Sequence, residues 1–126
     1  MSYAKAAVEY RRNTILNASP EKLILLMYEG ALQHLERARI LLQQPGTELT
    51  GRIGENLGKA MAIIGELRTA LDPERGAEIA ANLDRLYEFC LDRIYKANLD
   101  RRAETMDAII EVMKTLKEGW DGIIPA

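Results

Sequence analysis

Three stretches of this sequence carry apolar residues at alternating spacings of four and three, and that period constrains the fold more than any other feature. The first stretch runs Ile24, Tyr28, Ala31, Leu35, Ala38 and Leu42. The second runs Ile53, Leu57, Ala60, Ile64, Leu67 and Leu71, and the third Met106, Ile109, Met113, Leu116 and Trp120. An α-helix brings residues at these spacings onto one face. A stripe sustained over several turns suits helices packed at shallow angles in a bundle. No period-two alternation competes, and β-branched residues are sparse, so no strand is predicted.

Breakers divide the chain between these stripes. Ser19 is a good N-cap, because its hydroxyl can accept an orphaned backbone N–H, and Pro20 follows at the first helical position. Helix one is predicted from there to about Gln44, before Pro45-Gly46. Helix two is predicted over about 48–71, with a turn over 72–76. Helix three follows over about 77–98, and helix four over about 102–120. The connections are short, so neighbouring helices should be antiparallel. The expected fold is therefore all-α: an antiparallel four-helix bundle over 19–126, preceded by an N-terminal arm over 1–18 long enough to hold a short helix. Tyr3, Val8 and Tyr10 of the arm are expected to lie against an apolar surface, as a docked terminus or as a displaceable cover.

Length and composition narrow the function classes. A chain of 126 residues makes one domain with a single core. It is 48% apolar and 29% charged, with a net charge of −2, so neither nucleic acid nor an anionic membrane is favoured as a partner. The longest unbroken apolar run, 23–28, is far too short to cross a bilayer. The start of the chain has no apolar signal segment, and Cys90 is the only cysteine, so a cytosolic protein is expected.

Two surpluses remain once the core is accounted for. Between Ile79 and Tyr95 helix three carries eleven apolar residues in seventeen, where about seven would serve one buried face. Either the helix is central and well buried, or part of it is a docking face. Helix two carries Gly54, Gly58 and Gly65 in its interior, at about 1 kcal/mol each relative to alanine. At about 100° per residue the three fall within roughly 40° of arc, bordered by Met61 and Ala62. That is a trough without side chains on its floor. It fits close packing of a neighbouring helix of this chain, or a groove for a partner helix.

No catalytic site can be read. His34 stands alone on helix one, without the second histidine or Glu-x-x-His pattern that a metal site needs, and reads as a partly buried structural residue. Cys90 lies on an apolar face near Leu86, Tyr87 and Ile94, where burial makes a thiol inert. The basic pairs Arg11-Arg12 and Arg101-Arg102 read as surface. No metal, cofactor or enzymatic activity is expected.

One family pattern runs through nearly the whole chain. Residues 10–32, YRRNTILNASPEKLILLMYEGAL, set a tyrosine before an Ala-Ser-Pro helix start and then a Leu-Ile…Tyr-Glu-Gly-Ala block. Lys59-Ala60, Ile63-Ile64-x-Glu66-Leu67, Leu71-Asp72, Gly76-x-Glu78-Ile79-Ala80-x-Asn82-Leu83, Leu86-Tyr87, Ala97-Asn98 and Trp120 follow in order. The sequence resembles FliS, the flagellar export chaperone family. It departs at Glu29, where aspartate is common, at Asn17, near a usual threonine, and at His34, where an aromatic is usual.

The resemblance implies a cytosolic chaperone, built as a helical bundle, that binds the disordered C-terminal part of flagellin. It further implies that the chaperone prevents premature polymerisation and delivers its cargo to the flagellar export gate. Geometry and resemblance together assign the partner groove to Gly54, Gly58, Met61, Ala62 and Gly65 with Tyr87, Leu91 and Tyr95, bordered by Tyr10 of the arm. Monomer and homodimer both stay open, as does a co-chaperone in the same groove. A generic helical adaptor, or a self-associating bundle with another amphipathic partner, is the alternative reading.

Overall fold

The computed structural model describes residues 3–7, 19–44, 46 and 50–123. Residues 3–7 are a short helical segment with exposed side chains. Four long helices follow: α1 (Pro20–Gln43), α2 (Thr50–Thr69), α3 (Pro73–Asp100) and α4 (Thr105–Ile123). Every described element is helical, as the apolar period requires.

The helix ends follow local chemistry. Ser19 caps α1, its hydroxyl accepting from the Lys22 N–H at 3.2 Å, with Pro20 in the first turn. Asp72 caps α3, accepting from the N–H groups of Glu74 and Arg75 at 3.0 and 3.3 Å, again with proline next. The segment over 72–76, read as a plain turn, is therefore the capped first turn of α3. A break follows at Ala77, whose φ of 46° and ψ of −114° are not helical. A non-glycine residue held there costs about 1–3 kcal/mol. α3 ends at Arg101, which is left-handed (φ 55°) and donates its N–H to the Ala97 carbonyl at 2.8 Å.

Each helix buries one stripe in a shared core. α1 packs on α2, α2 on α3, α3 on α4, and α4 closes the ring on α1. Side-chain contacts set the direction of α2 and α4 against α1. His34 bonds Asn56 at 2.9 Å and Gly30 meets Ile63, so α1 and α2 run in opposite directions. Glu36 lies 3.6 Å from Lys114 while Trp120 reaches Tyr28, which orients α4 against α1. The stripe of α2 lies where the period puts it: Ile53, Leu57, Ala60, Ile64 and Leu67 are all buried. Met106, Ile109 and Met113 of α4 are fully buried.

One polar cluster sits inside this apolar core. The Tyr28 and Tyr87 hydroxyls share a buried hydrogen bond, and the Trp120 indole N–H donates to the Tyr28 oxygen at 3.3 Å. Their helices, α1, α3 and α4, are thereby fixed relative to one another. The free cysteine, Cys90, is buried beside them on α3.

Two expectations need correction. Tyr3 does not lie against an apolar surface, being 97% exposed, and Val8 and Tyr10 fall outside the described residues. Tyr87 is not an outward residue. It is 2% exposed, since it shares the inward stripe of Ala80, Cys90, Ile94 and Ala97, and Tyr28 satisfies its hydroxyl.

Burial pushes the Cys90 thiol from 9.0 up to about 11 and raises both Tyr28 and Tyr87 above 10.0. Each group is neutral when protonated, and the folded chain holds that proton more tightly than the unfolded one. The native state therefore binds more protons at alkaline pH, and stability falls as pH rises. These groups should leave the urea midpoint unchanged below pH 9, lower it as Cys90 titrates towards about 11, and lower it further as the tyrosines follow. Cys90→Ala should remove the earliest part of that decline.

Candidate protein-binding surface

The register between α2 and α3 can be read at two points. At one end a methyl group on Gly54 would lie 3.6 Å from the Arg101 guanidinium and 3.9 Å from Asn98 Oδ1. At the other, the Arg68 guanidinium donates to both Asp84 carboxylate oxygens, at 2.7 and 3.4 Å, and lies 3.6 Å from Glu88. From the first point to the second α2 advances fourteen residues while α3 runs back fourteen, so Met61 lies level with Leu91 at the middle. Gly54, Gly58, Met61, Gly65 and Arg68 repeat at four and three, and so do Asp84, Glu88, Leu91, Tyr95 and Asn98. These are the two facing rows of one seam, roughly 20 Å long at 1.5 Å per residue.

The α2 side of the seam is nearly bare. No neighbour lies within 4 Å of a methyl group built on Gly58 or Gly65. Close packing of another helix of this chain therefore does not account for these two glycines. Only Gly54, against Asn98 and Arg101, has such a neighbour. Met61 is half-buried and Ala62 is exposed on the outer flank. Opposite them Leu91 is half-buried, and Tyr95 and Leu99 are 58% and 66% exposed, one helical turn apart. The surplus on α3 is only partly taken up by the core: Leu83, Phe89 and Leu91 pack half-buried against it, while Ile79, Leu86, Tyr95 and Leu99 stay exposed.

Charge closes both ends of the seam. The Arg68 hydrogen bond holds the Asp84 carboxyl below its usual range. The pair is exposed, so it contributes to register more than to stability. At the other end the Arg101 guanidinium donates to the Asn98 carbonyl and to its side chain, both at 2.8 Å. The sequence reading did not find Arg68, Asp84, Glu88 or Leu99. The four-three spacing of 84, 88, 91, 95 and 98 was the available signal, and pairing it to α2 needed the register.

A second concavity lies at one end of the bundle. Its volume is about 320 Å³, and it is walled by Ile24, Leu67, Leu83, Tyr87 and Trp120 and by the kinked start of α3. Ile79 stands at its mouth, 70% exposed.

Neither concavity holds a catalytic arrangement. Cys90 is buried with its thiol pushed up, and His34 is half-buried with Nδ1 on Asn56. Among the described residues no three of His, Cys, Asp and Glu stand close enough to hold a metal ion. No described helix is long and apolar enough to cross a membrane. Between its charged ends the seam carries three apolar side chains, Met61, Leu91 and Tyr95.

Comparison with known proteins agrees with this architecture. The family described as "Flagellar protein FliS" matches residues 2–126. The chain is 40% identical to the flagellar secretion chaperone FliSB of Pseudomonas aeruginosa, over 94% of this chain and 95% of that one. It is 36% identical to the flagellar secretion chaperone FliS of Vibrio cholerae, over 98% and 87% respectively. Among solved structures, that of a flagellar chaperone from bacteria superposes with a TM-score of 0.74, at 26% identity and 96% coverage of both chains.

The open space at Gly58 and Gly65 decides the sign of a simple substitution. An added methyl meets nothing, and alanine is the better helix former. Gly58→Ala and Gly65→Ala should each stabilise the isolated chain by about 0.5–1 kcal/mol in urea titration.

Proposed function

The chain belongs to the FliS family, a family of chaperones and not of enzymes, and we propose that it is a cytoplasmic export chaperone that binds the disordered C-terminal region of flagellin. In this reading it keeps flagellin from polymerising early and assists its delivery to the export apparatus. The observation that carries the reading is the α2–α3 seam: two glycines with open space above them, one of them, Gly58, level with the exposed Tyr95 of α3.

The energetics suit a transient complex. A segment that packs as helices in a filament is amphipathic, and unpaired it self-associates. Laid along the seam, it covers Leu91, Tyr95 and Leu99, and its backbone can approach α2 closely over Gly58 and Gly65. The helical cost of those glycines, about 1 kcal/mol each, is borne by the free chain and offset by contact in the complex. Ordering the bound segment takes about 2–5 kcal/mol from the gross interaction, which keeps affinity moderate for a cargo that must be released. Met61 adapts its shape to the ligand. Tyr10, which lies outside the described residues, is assigned to the border of this groove on the family pattern alone.

Gly58→Leu tests the assignment. A Cβ at position 58 meets no neighbour within 4 Å and leucine is the better helix former, so far-ultraviolet circular dichroism and the urea midpoint should be retained or improved. Capture of a flagellin C-terminal segment in a pull-down should be lost, whereas an unrelated amphipathic peptide should not be captured by either form. Undiminished flagellin capture by a well-folded Gly58→Leu variant would remove the seam from the binding site. Equal capture of the unrelated peptide would favour a generic helical adaptor.

A further inference from the structure

We propose that the first turn of α3, Pro73–Gly76, is a hinged lid on the cavity at the end of the bundle, with Ala77 as its hinge. The turn is a self-contained unit. Asp72 caps it through Glu74 and Arg75, and the Gly76 N–H donates to the Asp72 carbonyl at 2.8 Å. Pro73, Glu74 and Arg75 are exposed, so core packing does little to hold the turn where it is. Asp72, Arg75 and Gly76 nonetheless form one wall of the cavity, facing Ile24, Leu67 and Trp120.

The position of the turn is constrained on both sides of the hinge. Ala77 is one of two described non-glycine residues with positive φ, and the other, Arg101, ends its helix, where that conformation is ordinary. Ala77 instead lies between two helical pieces, at a ψ of −114°. At Gly76 a methyl group would come within 2.8 Å of Ala80 Cβ, so only glycine lets the turn lie this close to the next turn of α3. Swinging the turn away from Ala80 lets Ala77 return to negative φ. The same movement shifts one wall of the cavity past Trp120. Backbone strain beside an apolar cavity, in a segment with few buried contacts, marks a part that moves at low cost.

The two residues give opposite tests. Glycine at 77 adopts positive φ without strain and should hold the turn in place, whereas alanine at 76 collides with Ala80 and should displace it. Hydrogen exchange over 74–80 in the full chain should slow several-fold in Ala77→Gly and quicken several-fold in Gly76→Ala, with amides of α1 and α2 unchanged. Acrylamide quenching of Trp120, the only tryptophan, should change in Gly76→Ala. Exchange over 74–80 that is the same in wild type and Ala77→Gly, or that changes by one factor in all four helices, would overturn the proposal. Should Gly76→Ala fail to fold, the Ala77→Gly result decides alone.

Discussion

The buried hydroxyl of Tyr28 is the point on which the arrangement of the helices depends. It takes the Trp120 N–H from α4 and shares a hydrogen bond with Tyr87 of α3. A buried polar group left without a partner costs about 1–3 kcal/mol, so a slip of α1, α3 or α4 by one turn is penalised at this cluster as well as in the apolar stripes. Apolar stripes alone tolerate such slips, since each turn offers similar residues to its neighbour. The cluster therefore gives an otherwise repetitive core a single register.

α2 takes no part in that cluster. It is held by its inward stripe and, at the surface, by contacts such as His34–Asn56 and Arg68–Asp84. Its outer flank is thereby released from any structural duty. Gly58 and Gly65 weaken the helix, and a methyl group at either would meet no neighbour within 4 Å. A bundle selected for stability alone would carry alanine there. Gly58 opposite Tyr95 and Met61 opposite Leu91 give the proposed binding groove its shape.

Much of this was legible in the sequence, because helical period and capping are local. The stripes of α1, α2 and α4, the Ser19-Pro20 start, and the inert placement of Cys90 and His34 all follow from spacing and residue type. What failed did so where a third dimension decides. Tyr87, expected on the outer part of helix three with Leu91 and Tyr95, is buried because a partner 59 residues away in the chain satisfies its hydroxyl. The Arg68–Asp84–Glu88 clamp depends on how two helices align, which no single helix records. The kink at Ala77 hid behind Pro73 and Gly76, which announce a turn but not that a capped helical turn fits between them.

The central claim is that the α2–α3 seam is where the chain holds its partner. The most direct measurement is hydrogen exchange along the whole chain, with and without a flagellin C-terminal segment. The account predicts new protection concentrated at Gly58–Gly65 of α2 and Leu91–Leu99 of α3, with the Tyr28 region already protected in both states. Protection confined to α1 and α4, with the seam exchanging as it does in the free chain, would contradict it.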